Sequence, residues 1–135
     1  MKEEPMSLYL RATDIIDSDN IAIRQKAKEV SEPYETDIEK AIAIFYFVRD
    51  QIKYNPFMPR FLPEHFRASN TLERKTGFCI QKAVLLAALS RAVRIPSRLR
   101  FAVLKNQDFC KTITSRLFVS SRSLFMFFLS HRAAV

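Results

Sequence analysis

Thr76-Gly77-Phe78-Cys79-Ile80-Gln81-Lys82-Ala83-Val84-Leu85-Leu86-Ala87-Ala88-Leu89-Ser90-Arg91-Ala92 is the run around which the remainder of this 135-residue chain can be placed. It holds the only glycine of the protein, two residues ahead of a cysteine, and the cysteine stands at the mouth of a strongly apolar segment. Glycine permits the positive φ or the close backbone approach that a sharp turn into a helix requires. Thr76 is a fair N-cap for that helix, which would place Cys79 in the first turn. Backbone N–H groups there lack intrahelical acceptors, and the helix dipole presents about half a positive charge, so a thiolate at that point is favoured. A stabilised thiolate is what turns cysteine into a nucleophile. Free cysteine is also a common buried apolar filler, and position alone leaves both readings open.

Working outward, the length fits one domain, residues 1–135, that buries roughly two-thirds of its unfolded surface. One glycine where average usage of about 7% would give nine or ten is anomalous. Turns needing positive φ are therefore expected to be few, or made with Asn and Asp. The net charge of +8 is unevenly spread. Residues 1–73 hold 10 Lys and Arg against 13 Asp and Glu, whereas residues 74–135 hold 12 against 1. A basic half can signal an anionic partner, or the loss of acids that would normally balance it.

Cys79 and Cys110 are too few for a disulfide framework, and Lys2, Glu3, Glu4 and Pro5 open the chain where a leader's apolar run would stand, so a reducing cytoplasmic location is expected. The most apolar run, Leu124 to Leu129, is far shorter than the roughly 20 residues of a spanning helix. No pattern for a metal or a cofactor is found.

Along the chain, residues 1–17 lack a clean period and read as irregular or partly extended. Ser18-Asp19-Asn20 can cap a helix to about Ser31 with Ile23, Ala27 and Val30 on its inner face. Thr36-Asp37-Ile38-Glu39 is a capping box, so a second helix should start at Asp37 and run to about Lys53. Its stripe of Ile38, Ala41, Ile42, Phe45, Val48 and Ile52 is expected to be core. Pro56 to Asn70 reads as a long connection rich in proline and aromatics, the kind that often lines a site. The segment after Cys79 is apolar nearly all round, as a central buried helix would be, and Ile95-Pro96 ends it. From Ser97, the alternation through Arg98, Leu99, Arg100, Phe101 and Val103 predicts a strand.

Gly77-x-Cys79-x-x-x-Ala83, then Leu85-Leu86-x-Ala88-Leu89-x-Arg91-Ala92 and Ile95-Pro96-Ser97-Arg98, resembles the core signature of the transglutaminase-like superfamily. Val48-Arg49-Asp50-x-Ile52-x-Tyr54 and Thr71-Leu72 resemble its lead-in, so the likeness covers about residues 36–103. It implies an α+β, papain-like fold with a helical N-terminal half, the cysteine at the start of a central helix, and strands after it. It also implies thiol acyl transfer or hydrolysis on amide and peptide bonds, with Cys79 as nucleophile and a peptide or protein amide as partner. A histidine on a following strand would be general base and acid, and an aspartate on the next strand would orient it. The Cys79 N–H would supply part of an oxyanion hole, a contribution of about 3 kcal/mol per donor.

The chain departs from this pattern in two places. Arg94 stands where the family usually has glycine, so the helix is expected to close without its left-handed residue. The family's histidine and aspartate are not found beyond the Ile-Pro-x-Arg strand. His65 precedes the nucleophile and reads as a loop-packing residue; His131 follows it near the end of the sequence, and no carboxylate follows Asp108. The composition break near Asn106 suggests that residues 106–135 arose by a change of frame or truncation that replaced the family's catalytic second half. Impaired catalysis is therefore set against an inactive remnant that binds a peptide or protein through the old cleft. A third reading, an anion or nucleic-acid binder using Arg91, Arg94, Arg98 and Arg100, is the weakest. Leu117, Phe118 and Val119, then Leu124 to Leu129, could form strands against Arg98 to Val103 or equally an exposed sticky segment open to self-association.

Overall fold

A computed structural model describes residues 5–99 and the backbone of residues 127–128. Among the described residues, four α-helices carry the fold: α1, Ile21–Ser31; α2, Asp37–Gln51; α3, Ala68–Arg74; and α4, Cys79–Ala92. Two short parallel strands, β1 at Lys53–Tyr54 and β2 at Thr76–Gly77, pair Lys53 with Thr76 and Tyr54 with Gly77. Further along, β3 at Arg98–Leu99 runs antiparallel to β4 at Phe127–Phe128. The α+β class expected from the resemblance is what the chain adopts.

α4 is the centre, and α1, α2 and α3 all pack on it. Every residue from Gln81 to Arg91 is buried. Such a helix has no solvated face to pattern, which is why its sequence is apolar nearly all round. α1 begins as expected: the Asn20 side chain accepts from Ala22 N–H at 2.9 Å, and Ile23 and Ala27 are buried with Val30 against the same core. The capping box of α2 is present, with Thr36 Oγ1 accepting from Glu39 N–H and the Glu39 carboxylate from Thr36 N–H.

The expected inner face of α2 holds at its C-terminal end, where Phe45 packs on the core and Val48 and Ile52 are in it, but not at its N-terminal end. Ile44, Val48 and Ile52 are fully buried, while Ile38 and Ile42 are 62% and 49% exposed. α1 and α4 grip α2 along the i, i+4 row through Ile44, which rotates Ile38 and Ile42 outward. With Ala41, Phe45, Tyr46, Asp37 and Ile95 they line an open groove of about 440 Å³.

The N-terminal segment, expected to be irregular or partly extended, contains a 3-10 turn at Met6–Leu10. The long connection contains a second at Pro63–Phe66, and α3 starts inside what looked like loop. The start of α3 is held from a distance. Ile15 O accepts from Ala68 N–H at 3.0 Å, and the Asp17 carboxylate from Ser69 N–H at 3.1 Å.

Among the described residues, positive φ falls on neither Asn nor Asp but on Lys75 (55°) and Arg94 (67°). Arg94 corrects the expectation that α4 closes without a left-handed residue. Its N–H reaches Arg91 O at 3.0 Å and Ile95 N–H reaches Ser90 O at 2.9 Å, the two bonds of a Schellman closure. The geometry glycine usually supplies is kept by an arginine, whose Cβ makes that backbone conformation costly.

Candidate active site

Cys79 is the first residue of α4 and is partly exposed. The capping residue is Phe78, with extended backbone (φ −89°, ψ −179°), and not Thr76. Thr76 is drawn into β2, and its hydroxyl donates to Lys53 O at 3.2 Å. Pairing with β1 thus takes the threonine away from the helix and moves Cys79 to the helix terminus itself. Its N–H is one of the first-turn donors without an intrahelical acceptor.

Phenylalanine has no acceptor to offer as a cap, so the local wiring comes from Gln81, two residues past the cysteine. Its Oε1 accepts from Phe78 N–H at 3.1 Å, and its Nε2 donates to His65 O at 2.9 Å and Pro59 O at 3.1 Å. The side chain is 1% exposed and fully bonded. Gly77 makes the room. A Cβ at that position would lie 3.1 Å from both Cβ and Oε1 of Gln81, and 3.2 Å from Thr71 Cγ2. The glycine is there for close approach, since its φ is not positive. Phe78 is flanked by Phe66, edge-on at 5.8 Å between ring centres, and by the Arg60 guanidinium 5.6 Å from its ring.

Lys82 is the other buried polar group of this turn. Its Nζ donates to Ile52 O at 2.6 Å and Arg49 O at 3.4 Å, closing the C-terminal end of α2. A cation suits a helix C-terminus. Desolvation nevertheless lowers its pKa to about 8, against the nearby Asp50 carboxylate, which acts to raise it.

His65 Nδ1 accepts from the N–H groups of both Phe61 and Leu62 at 3.2 Å, so this nitrogen is spent on closing the loop, as the loop-packing reading requires. Asp108, Cys110 and His131 lie outside the described residues, as do Arg100 and the apolar tail apart from the backbone of β4. Of the arginines considered for anion binding, Arg91 is buried and donates to Ser97 O at 2.6 and 3.0 Å and to Arg11 O at 2.7 Å. It ties the end of α4 to the N-terminal segment. Arg98 donates to the Tyr9 hydroxyl at 3.0 Å and lies over that ring.

Among the described residues, no group of three or more His, Cys, Asp or Glu is placed to hold a metal ion, and no helix is long and apolar enough to cross a membrane. Gln81 and Lys82 were missed in the sequence. Their signal was there: two polar residues just ahead of the apolar run Ala83 to Leu89, one of them at the third helical position, where a Glu or Gln reaches back to the cap.

The pattern of the transglutaminase-like superfamily matches residues 24–123. No curated protein resembles the chain closely enough to count as a match. Among solved structures, a "putative cysteine protease" from Cytophaga hutchinsonii superposes with a TM-score of 0.65 at 22% identity. The superposition covers 78% of this chain and 36% of that one, so this chain spans little more than a third of the solved protein. At that identity the likeness is one of fold.

Proposed function

We propose that this chain, which belongs to the transglutaminase-like superfamily, uses Cys79 as the nucleophile of acyl transfer on an amide or peptide bond. The Cys79 sulfur adds to the carbonyl carbon, the carbonyl oxygen takes the negative charge, and the nitrogen leaves with a proton to give a thioester on Sγ. Water or an amine then takes the acyl group and returns the thiol. The observation that carries this reading is the placement of a partly exposed Cys79 at the first residue of α4. The turn around it is fixed by the bond from Phe78 N–H to Gln81, which leaves the first helical amides free to meet an oxyanion.

The family's base and orienting acid come after this helix, and the sequence holds one histidine and one aspartate beyond residue 92, His131 and Asp108. Acylation of an activated ester asks little of a general base, whereas turnover of an amide depends on one for about 10² to 10⁴ in rate. Treatment with p-nitrophenyl acetate should therefore leave an acetyl group on the Cys79 peptide, found by mass spectrometry and absent from Cys79→Ser. Acetyl spread evenly over Cys110 and surface lysines would refute the assignment.

A second reading, an inactive remnant that binds a peptide or protein partner, is favoured by one feature. The described histidine, His65, has its Nδ1 engaged by two backbone amides. Release of p-nitrophenol separates the two readings: a single burst without turnover marks the remnant, and continued release marks the enzyme.

A further inference from the structure

The connection at residues 55–66 is bonded more like an element than a loop. Asn55 Oδ1 accepts from Phe57 N–H at 2.9 Å, His65 Nδ1 accepts from Phe61 and Leu62 N–H at 3.2 Å, and Gln81 Nε2 holds Pro59 O at 3.1 Å and His65 O at 2.9 Å. Held this way, it presents Phe57 and Phe61 90% and 89% exposed, with Leu62 at 50%. Single exposed apolar residues are ordinary; three within six positions on a bonded backbone form a patch. The patch is seated on the residue before Cys79, through Arg60 and Phe66 on the Phe78 ring. The segment and the strand ends next to it lean basic: Arg60 and Arg67 stand against Glu64 within residues 55–67, and the bond from Lys53 N–H to Lys75 O at 2.9 Å brings two lysines together at the start of β1 and β2.

We propose that Phe57, Phe61, Leu62 and Arg60 form a docking surface for a peptide segment of the acyl donor that carries an aromatic or aliphatic side chain and a carboxylate. This deepens the assignment of Cys79 and rests on it for which bond is attacked, but docking itself is measurable without the thiol. A surface ordered before binding loses little entropy when a peptide lands on it. Exposed aromatics beside basic residues would also suit an anionic bilayer. The peptide is favoured because the backbone under the patch is bonded to the helix turn carrying Cys79, a seat that a membrane contact does not need.

The test uses the full chain with Cys79→Ser and a fluorescein-labelled acidic hexapeptide containing two aromatic residues, followed by fluorescence anisotropy. Replacing Phe57 and Phe61 together by Ser should weaken binding about tenfold, and replacing the peptide's aromatics by Ser should do the same without adding to it. Arg60→Gln should reduce both affinity and its salt dependence. Because the two phenylalanines are exposed, an unchanged urea midpoint will show that the fold is intact. Equal binding by the parent and the double variant would overturn the proposal, as would no binding of the peptide. It would equally fall if the protein bound phosphatidylserine vesicles through these residues while ignoring the peptide. Failure of the nucleophile assignment reads out elsewhere, as unmodified Cys79 in the acetylation experiment, and leaves this comparison intact.

Discussion

At the scale of single residues, Gly77 and Arg94 are where backbone geometry and residue type meet most tightly. Gly77 admits Gln81, so Gly77→Ala must push that side chain away from Phe78 N–H or from the two loop carbonyls. Overpacking of this kind costs typically 1–3 kcal/mol, partly offset by the smaller unfolded-state entropy of alanine. A net loss of about 1 kcal/mol in urea unfolding is expected, together with faster proteolysis at residues 57–62. Arg94 is the converse: glycine removes the left-handed penalty on its Cβ. Arg94→Gly should raise stability by about 1 kcal/mol, read as a shift in urea midpoint at constant slope. The sequence pointed to both positions, one as the only glycine and the other as a missing one. At Gly77 it left positive φ and close approach both open, and at Arg94 it misjudged the closure, because contact with a side chain four residues on and the φ of a non-glycine residue are set by packing.

At the scale of elements, α2 and α4 make the stronger tests. If the inner row of α2 runs through Ile44, Val48 and Ile52, Ile44→Ala should cost about 2–5 kcal/mol, as large-to-small core changes do. Ile38→Ala, at an exposed position, should cost within about 0.5 kcal/mol. The reverse order would restore the stripe first expected from Ile38. Spacing alone does not fix the stripe, because a helix carrying Ile38, Ile42, Ile44, Phe45 and Val48 satisfies it in more than one phase. Only the neighbours α1 and α4 decide between them. Lys82 links the same two helices. Its pKa of about 8 in the folded chain lies below the ordinary lysine value, so the folded state holds its proton less tightly than the unfolded state does. Stability from this group is therefore present above about pH 10.4 and lost as pH falls through about 8. Urea unfolding should show wild type gaining on Lys82→Met by on the order of 3 kcal/mol between pH 7.5 and pH 10.5. A parallel pH course for the two proteins would mean that Lys82 keeps its proton as readily folded as unfolded.

At the scale of the whole molecule, the sequence made the central helix, the cysteine at its start and the two preceding helices legible, because each rests on a local signal: an all-apolar run, a Gly-x-Cys spacing, a capping box. It hid α3, β1 and β2. α3 is short and its first amides are satisfied by Ile15 and Asp17, more than fifty residues earlier. The two strands are two residues each, too short for alternation to register. The groups that assemble around Cys79 come from residues 59, 65, 78 and 81, joined by backbone carbonyls that no residue pattern advertises. For residues 106–135 we propose that the acid-poor composition reflects a change of reading frame; genomic sequence spanning codon 106 should show the family's histidine and aspartate in another frame, and its absence there would rule this out. The reactivity of Cys79 in the native chain bears most directly on the function proposed. Iodoacetamide alkylation at pH 7, followed peptide by peptide in the mass spectrometer, should modify Cys79 about tenfold faster than free cysteine and faster than Cys110. Alkylation of Cys79 that becomes appreciable only after unfolding in urea would identify it as a packed structural thiol and remove the nucleophile from the molecule.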